Sequence, residues 1–233
     1  MKACLVVLLA GCSATAEDYP IAPGGYGSSN GVPGPDAMLD ADPNGLSGRV
    51  CAMQDLRTFA PCATGGLLGV TVTLGGSTTV TGDDGSFSMI MPTGSNLVWR
   101  VSGAPLVPSV VPYSASTLLP AVDIETYNNL LNANGRSLTS GQGSIVARIV
   151  QLGQPAVGVT ATTDAVFETL YDGANATTWD QDIEGTGARG VAWLTGVPIG
   201  AATLEVTPVV GTPTNHVHLV EDLAITFPTI EIP

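Results

Sequence analysis

The chain has 233 residues and carries 20 acidic against 7 basic side chains, for a formal charge of −13. That balance repels a phosphate backbone, and no basic run offsets it, so nucleic acid is excluded as a partner. Charged residues make up only 12% and hydrophobic ones 44%, with 29 glycines and 17 prolines; this composition suits a turn-rich β protein with a real core and does not suit long helices.

Met1-Lys2 precedes a short apolar run, Ala3–Ala10, that ends in small residues. The run is far shorter than the ~20 residues that span a bilayer and has the layout of an export signal. Residues 13–44 hold Pro20, Pro23, Pro33, Pro35 and Pro43 among many glycines and show no apolar period. A stretch with no packable face is expected to be a disordered or extended tether, spanning 12–45. Asp40-Ala41-Asp42-Pro43-Asn44-Gly45 imitates the first half of a calcium loop, but Cys51 stands where the closing acidic residue belongs, and a solvated turn is the simpler reading.

From residue 46 the pattern changes to short runs of period two, cut every 8–12 residues by Gly75-Gly76, Asp83-Asp84-Gly85 and Pro92-Thr93-Gly94. Val70, Val72 and Leu74 share one face, Phe87 alternates with Met89, and Trp99 shares a face with Leu97 and Val101. A last strand over Val107–Val111 carries prolines at 108 and 112 and is expected at a sheet edge. Residues 113–140 form a connector. In it Asp123 caps a short helix whose apolar residues are Ile124, Tyr127, Leu130 and Leu131, and Asn134-Gly135 stops it. Strands resume at 141–233, interrupted by a polar stretch, Asp172–Thr186, read as a loop. The second stretch repeats the first: Leu68-Gly69-Val70-Thr71-Val72 matches Val157-Gly158-Val159-Thr160-Ala161, and Pro92-Thr93-Gly94 matches Pro198-Ile199-Gly200. The expected fold is all-β: two small Greek-key β-sandwiches in tandem, at 46–112 and 141–233.

Of the four cysteines, Cys4 lies in the leader and Cys12 directly after it. Cys51 and Cys62 remain as a pair in an oxidising compartment and are expected to form a disulfide. Closing a loop of that size contributes about 3 kcal/mol in the chain-entropy account. The only histidines, His216 and His218, fall at i, i+2 on a strand and would point to one side, a weak candidate for Cu or Zn with Glu221 or Asp222 as third ligand. The competing reading is a polar strand face with Val217 and Leu219 turned inward. No Gly-x-Ser-x-Gly elbow occurs, and any base for nucleophilic catalysis would have to be one of those two histidines. No enzyme activity and no cofactor are expected. Trp179, with Asp180 and Asp182 beside it in the polar loop, is the best candidate to stack on a glycan; its competing role is a plug over the end of the second sandwich.

Two resemblances add to this reading. Leu9-Ala10-Gly11-Cys12 resembles the lipobox of bacterial lipoproteins. It implies cleavage after residue 11, acylation of Cys12 and membrane attachment through the N-terminal lipid; Ser13 in place of Asp is similar to the outer-membrane sorting pattern. Gly69-Val70, Thr81–Phe87 ("TGDDGSF") and Pro92-Thr93-Gly94 resemble the carboxypeptidase regulatory-like domain, a transthyretin-like (prealbumin-like) β-sandwich. Pro155-Ala156-Val157-Gly158-Val159 resembles the family's lead-in to its second strand, though Thr186-Gly187-Ala188-Arg189-Gly190 lacks the Asp-Gly that should follow. The resemblance implies an accessory module without catalysis. The combined expectation is a non-enzymatic, lipid-anchored protein of the bacterial cell envelope, on the periplasmic or surface-exposed side, that meets an envelope protein or a glycan.

Overall fold

The computed structural model describes residues 45–233, apart from 59–61, 63, 64, 115, 116, 165–167, 174–178, 181 and 182. The leader, Cys12, the tether and the Asp40–Asn44 turn lie outside the described residues. The architecture is all-β and sandwich-like, with one short helix among the described residues.

The first half comprises β1 (Gly45–Ala52), β2 (Thr71–Leu74), β3 (Ser77–Val80), β4 (Ser86–Ile90), β5 (Val98–Ser102), β6 (Leu106–Val107), β7 (Ser109–Pro112) and β8 (Leu118–Asp123). A sheet of order β4-β1-β8-β6 faces the strands β7-β5-β2-β3. Alternation decides what enters the core between them: Phe87 and Met89 point in while Ser86, Ser88 and Ile90 are exposed. Trp99 and Val101 do the same on β5, against Val50, Leu119 and Ala121. Strand β8, within the stretch expected as connector, completes this sandwich by pairing parallel to β1. Its Leu-Leu-Pro-Ala-Val-Asp sequence has no period-two signal and was not recognisable as a strand. Helix α1 (Ile124–Ala133) follows directly, and the Asp123 carboxylate accepts from the backbone N–H of Glu125 at 2.8 Å and Thr126 at 3.2 Å.

The second half comprises β9 (Gln142–Gln151), β10 (Gln154–Pro155), β11 (Thr160–Thr162), β12 (Thr169–Asp172), β13 (Trp179–Asp180), β14 (Val191–Pro198), β15 (Gly200–Thr207), β16 (Thr214–Val220), β17 (Ile225–Thr226) and β18 (Thr229–Ile232). The three-stranded sheet β11-β15-β16 covers one face of β12-β14-β9. Helix α1 and Leu56 cover the other. Ile145, Ala147 and Ile149 therefore bury on one side of β9 and Val146 on the other, which is why this strand reads as a nearly unbroken apolar run. Beyond Asp222 the chain forms two short strands, β17 and β18, and not one long one. Leu223 takes a positive φ of 54° and is 44% exposed, while Ile225 and Phe227 are buried.

The sequence repeat is a hydrogen-bond repeat. Val70 N–H donates to Thr81 Oγ1 at 2.9 Å, and the Thr81 hydroxyl donates to the Leu67 carbonyl. In the second half Val159 N–H donates to Thr186 Oγ1 at 3.0 Å, and that hydroxyl donates to the Ala156 carbonyl at 2.6 Å. Each threonine opens a Thr-Gly-x-x-Gly turn whose last glycine, Gly85 or Gly190, has φ of 80° or 67° and passes its carbonyl to Val50 or Ile149. A Cβ at Gly85 would sit 2.5 Å from Gly66 Cα and Leu67 N, so backbone packs on backbone and a side chain has no room. The Asp-Gly missing from the second turn is replaced from outside it: the buried Asp172 carboxylate accepts from the N–H of Gly187, Arg189 and Val191 at 2.6–2.9 Å.

Hydrogen bonds connect the two stretches expected as separate modules. Strand β17 lies between β7 and β9, parallel to both. Ile225 N–H reaches the Pro108 carbonyl at 2.9 Å, and Phe227 N–H the Val110 carbonyl at 2.8 Å. Strand β7 is thus an interior strand of an 11-stranded sheet, not the edge that its prolines suggested. Pro108 offers β17 only a carbonyl, so its missing donor spoils nothing. Below this seam an apolar layer draws on both halves: Val107, Val122, Tyr127 and Leu131 meet Val146, Val191, Trp193 and Phe227. Tyr127 Oη and Ser144 Oγ lie 2.5 Å apart inside it.

Two outcomes test this layout. Thr81→Val and Thr186→Val each leave a buried N–H and carbonyl unpartnered, and each is expected to lower stability by about 1–3 kcal/mol; equal urea midpoints for parent and variants would reject the knot. The shared seam predicts that Thr186→Val shifts the transition of the whole body, read by intrinsic tryptophan fluorescence and by circular dichroism; a second, unshifted transition would show that the halves unfold apart.

Candidate interaction site

Cys51 and Cys62 form a disulfide with Cα atoms 5.0 Å apart. It closes a clip that leaves the first sandwich and leans on the second half. Leu56 is buried in the middle apolar layer. Asp55 accepts from Arg57 Nε at 2.8 Å and Nη2 at 2.9 Å, and from Arg189 Nη1 at 2.8 Å. Burial pushes the Asp55 carboxyl up, but the hydrogen bonds from Arg57, through side chain and backbone, and from Arg189 together outweigh it and hold the pKa below its ordinary value. Between the clip, helix α1 and β13 lies a groove of about 380 Å³, walled by Met53, Leu56, Tyr127, Leu130 and Trp179, with Asp55 and Arg57 also in its lining. Burial raises the Tyr127 hydroxyl to about 12, so it stays protonated there. Its described residues offer apolar contact and the Asp55 carboxylate's ion pairs. Sequence reasoning passed over Asp55, Arg57 and Arg189; the scarcity of cations, 7 in the whole chain, was the one signal that pointed to them.

Trp179 is brought to this groove, but not as an exposed stacking surface. It is 7% exposed, and its ring centroid lies 5.1 Å from that of Trp193. The polar loop is crossed by β13, which pairs with β12 and turns the indole into the apolar layer. Trp99 and Trp193 are fully buried, so all three tryptophans are core residues. Asp180 is half-buried on β13, and Asp182 lies outside the described residues.

His216 and His218 share a side of β16, as their spacing requires, with parallel rings 6.4 Å apart. The side is the inward one. Val220 is buried and Val217 is 66% exposed, which reverses the expected orientation of Val217 and Leu219. The two carboxylates expected as third ligand have other partners. Glu221 is held by Arg100 at 2.6 Å, and Asp222 accepts from Gly141 N–H at 2.7 Å. No group of three His, Cys, Asp or Glu side chains that could hold a metal occurs among the described residues. Burial, with His216 nearby as the lesser cause, lowers the His218 pKa to about 4. Its Nε2 is buried without a hydrogen-bond partner among the described residues.

No protein-family model matches the chain, and no curated protein does. Among solved structures it is similar to the Bacillus anthracis TIE protein, at 10% identity over 81% of this chain and 33% of that one, with a TM-score of 0.24. A streptococcal ancillary pilin shares 11% identity over 82% of this chain and 63% of its own, at a TM-score of 0.22. The shaft pilin SpaA of Lactobacillus rhamnosus GG shares 12% over 82% and 98%, at 0.23. The chain therefore spans about a third of the first of these and under two thirds of the second. At such scores the likenesses carry no argument about this protein. No helix among the described residues is long and apolar enough to cross a membrane.

The histidine environment predicts a pH effect. The unfolded chain binds a proton at His218 near 6.5, the folded chain only near 4, so stability falls as pH drops through that interval. His218→Gln is expected to flatten the stability difference between pH 7 and pH 4.5 relative to the parent, read from urea midpoints. Parallel curves for parent and variant would show that His218 is solvated in the native state.

Proposed function

We propose that the chain is a non-enzymatic envelope protein that is retained by lipid on Cys12, held off the membrane by the Pro/Gly-rich residues 13–44, and acts by presenting a fused pair of carboxypeptidase regulatory-like sandwiches to another envelope protein. The observation that carries the reading is the fusion itself. Strand β17, the middle apolar layer and the Asp55–Arg189 and Arg100–Glu221 pairs all serve to make one stiff body from two repeats. A joined body, with no reactive centre among the described residues, suits display and attachment, because a pre-organised surface loses little conformational freedom on binding. The Leu9–Cys12 lipobox supports the anchor, and Ser13 supports delivery to an outer membrane. The glycan alternative is disfavoured because no tryptophan presents an open ring.

The anchor is tested with the full chain expressed from its own leader. The parent is expected to enter the detergent phase of a Triton X-114 extraction, and Cys12→Ala the aqueous phase. Equal partitioning of the two, with a mature mass that lacks acyl chains, would reject lipidation and return the leader to an ordinary export signal.

A further inference from the structure

The two repeats differ in how they treat one strand edge. In the first half β7 pairs with β5 on one side and is covered by β17 on the other. The register of the second half identifies the corresponding strand. Thr71 pairs with Ser102 as Thr160 pairs with Thr207, so Val101 corresponds to Val206. Val101 faces Ser109 and Arg100 faces Val110; Val206 faces Thr214 and Glu205 faces Asn215. Strand β16 is therefore the counterpart of β7, Pro213 of Pro108, and Asn215 of Val110. The carbonyls of Pro108 and Val110 receive the N–H groups of Ile225 and Phe227. Their counterparts, on Pro213 and Asn215, have no backbone partner among the described residues.

Three further observations bear on this edge. The Thr226 hydroxyl donates to the Leu219 carbonyl at 2.7 Å, on the side away from β15, and a strand's period of two aims Val217 and Asn215 the same way. Strand β16 has seven residues, against two to five for β3, β4, β6, β11 and β13 at the other sheet ends. Edges are usually guarded by charge, proline, bulges or shortness. Strand β16 is long, its ladder to β15 has no register shift, it holds no lysine or acid, its one neighbouring proline, Pro213, lies just before it, and Val217 is 66% exposed on it. Beside its Val217–Leu219 end runs a groove of about 610 Å³ that Leu97, Val98 and Arg100 also line.

We propose that the outer edge of β16, from Pro213 to Val217, is a strand-addition site that receives a lone extended segment of another polypeptide, running parallel to β16 as β17 runs along β7. The segment has the chemistry of β17: an aliphatic residue, a threonine and an aromatic residue in alternation, with N–H groups two residues apart for the carbonyls of Pro213 and Asn215. Main-chain hydrogen bonds supply affinity in this mode, and alternate side chains supply selectivity. A second copy of this chain cannot lend its own β17, which is already bound between β7 and β9. The site gives the interaction role proposed above a place on the molecule and rests on that reading only for its setting; the Cys12 extraction is decided independently of it.

The probe is a fluorescein-labelled peptide with the sequence of Asp222–Pro228, titrated with the full chain and read by anisotropy. A saturable rise is expected. It should weaken at least tenfold when the peptide is N-methylated at the positions of Ile225 and Phe227, which removes the two donors. It should weaken to the same degree with Asn215→Pro, which takes the outward N–H from β16 but leaves its ladder to β15. Val217→Lys is the second variant if Asn215→Pro fails to fold by circular dichroism. No saturable binding to the parent overturns the proposal. So does equal binding by parent and edge variants, which would mean exchange with the peptide's own counterpart at β7. Dimers seen by light scattering that are lost in the edge variant, with no peptide bound, would assign the edge to a second copy and overturn the lone strand.

Discussion

The insertion of β17 between β7 and β9 is the constraint on which the rest of the body depends. Two N–H groups, of Ile225 and Phe227, cross from the second repeat to the carbonyls of Pro108 and Val110 in the first. Once that seam is closed, the strands beside it must continue as one sheet, and the face of that sheet opposite β11-β15-β16 must be covered by something apolar. Helix α1 and the disulfide-closed clip supply the cover. Their positions follow from the seam: Tyr127 reaches Ser144, Leu56 reaches the layer around Trp193, and Asp55 reaches Arg189. Few cations are present in this acidic chain, and three of them, Arg57, Arg100 and Arg189, are engaged at or near contacts of the clip and the seam.

Within each repeat a buried threonine sets the local geometry. Thr81 and Thr186 occupy the same place in the same turn, satisfy one donor and one acceptor each, and let two glycine backbones pack where no side chain fits. The turn's acidic support differs. The first repeat uses Asp84, two residues before the N–H of Ser86 that it accepts. The second uses Asp172, from a neighbouring strand, on three N–H groups. The Asp-Gly of the first turn, absent at residues 186–190, is thus replaced by a relocation of the same electrostatic support that leaves the turn intact.

Much of the fold was legible because it rests on local chemistry. Alternation at Phe87 and Met89, or at Trp99 and Val101, needs only the pleat and a dry side. The helix start at Asp123 needs only its own carboxylate and the next turn's N–H groups. The candidate sites were less legible. Trp179 sits among polar neighbours in sequence, yet β13 pairing carries it into the layer around Trp193. His216 and His218 do share a face, but which face points inward is fixed by Val220 and by the register to β15, and a one-residue difference in that register reverses the answer.

The sequence by itself determined the all-β class, the turn positions, the internal repeat, the cysteine pair and the short capped helix, because each is written in residues within a few positions of one another or in a repeated pattern. Tertiary structure alone decided that β7 is interior, that β8 closes the first sandwich, that Glu221 serves Arg100, and that one of two equivalent edges is covered while the other has no strand partner among the described residues. Apart from the Arg100–Glu221 side-chain pair, 121 positions apart, those facts turn on which backbone hydrogen bonds are made between distant strands, and a backbone donor or acceptor has the same chemistry at almost every residue. Period and composition report which side of a strand is dry. They carry no mark of what lies along its edge.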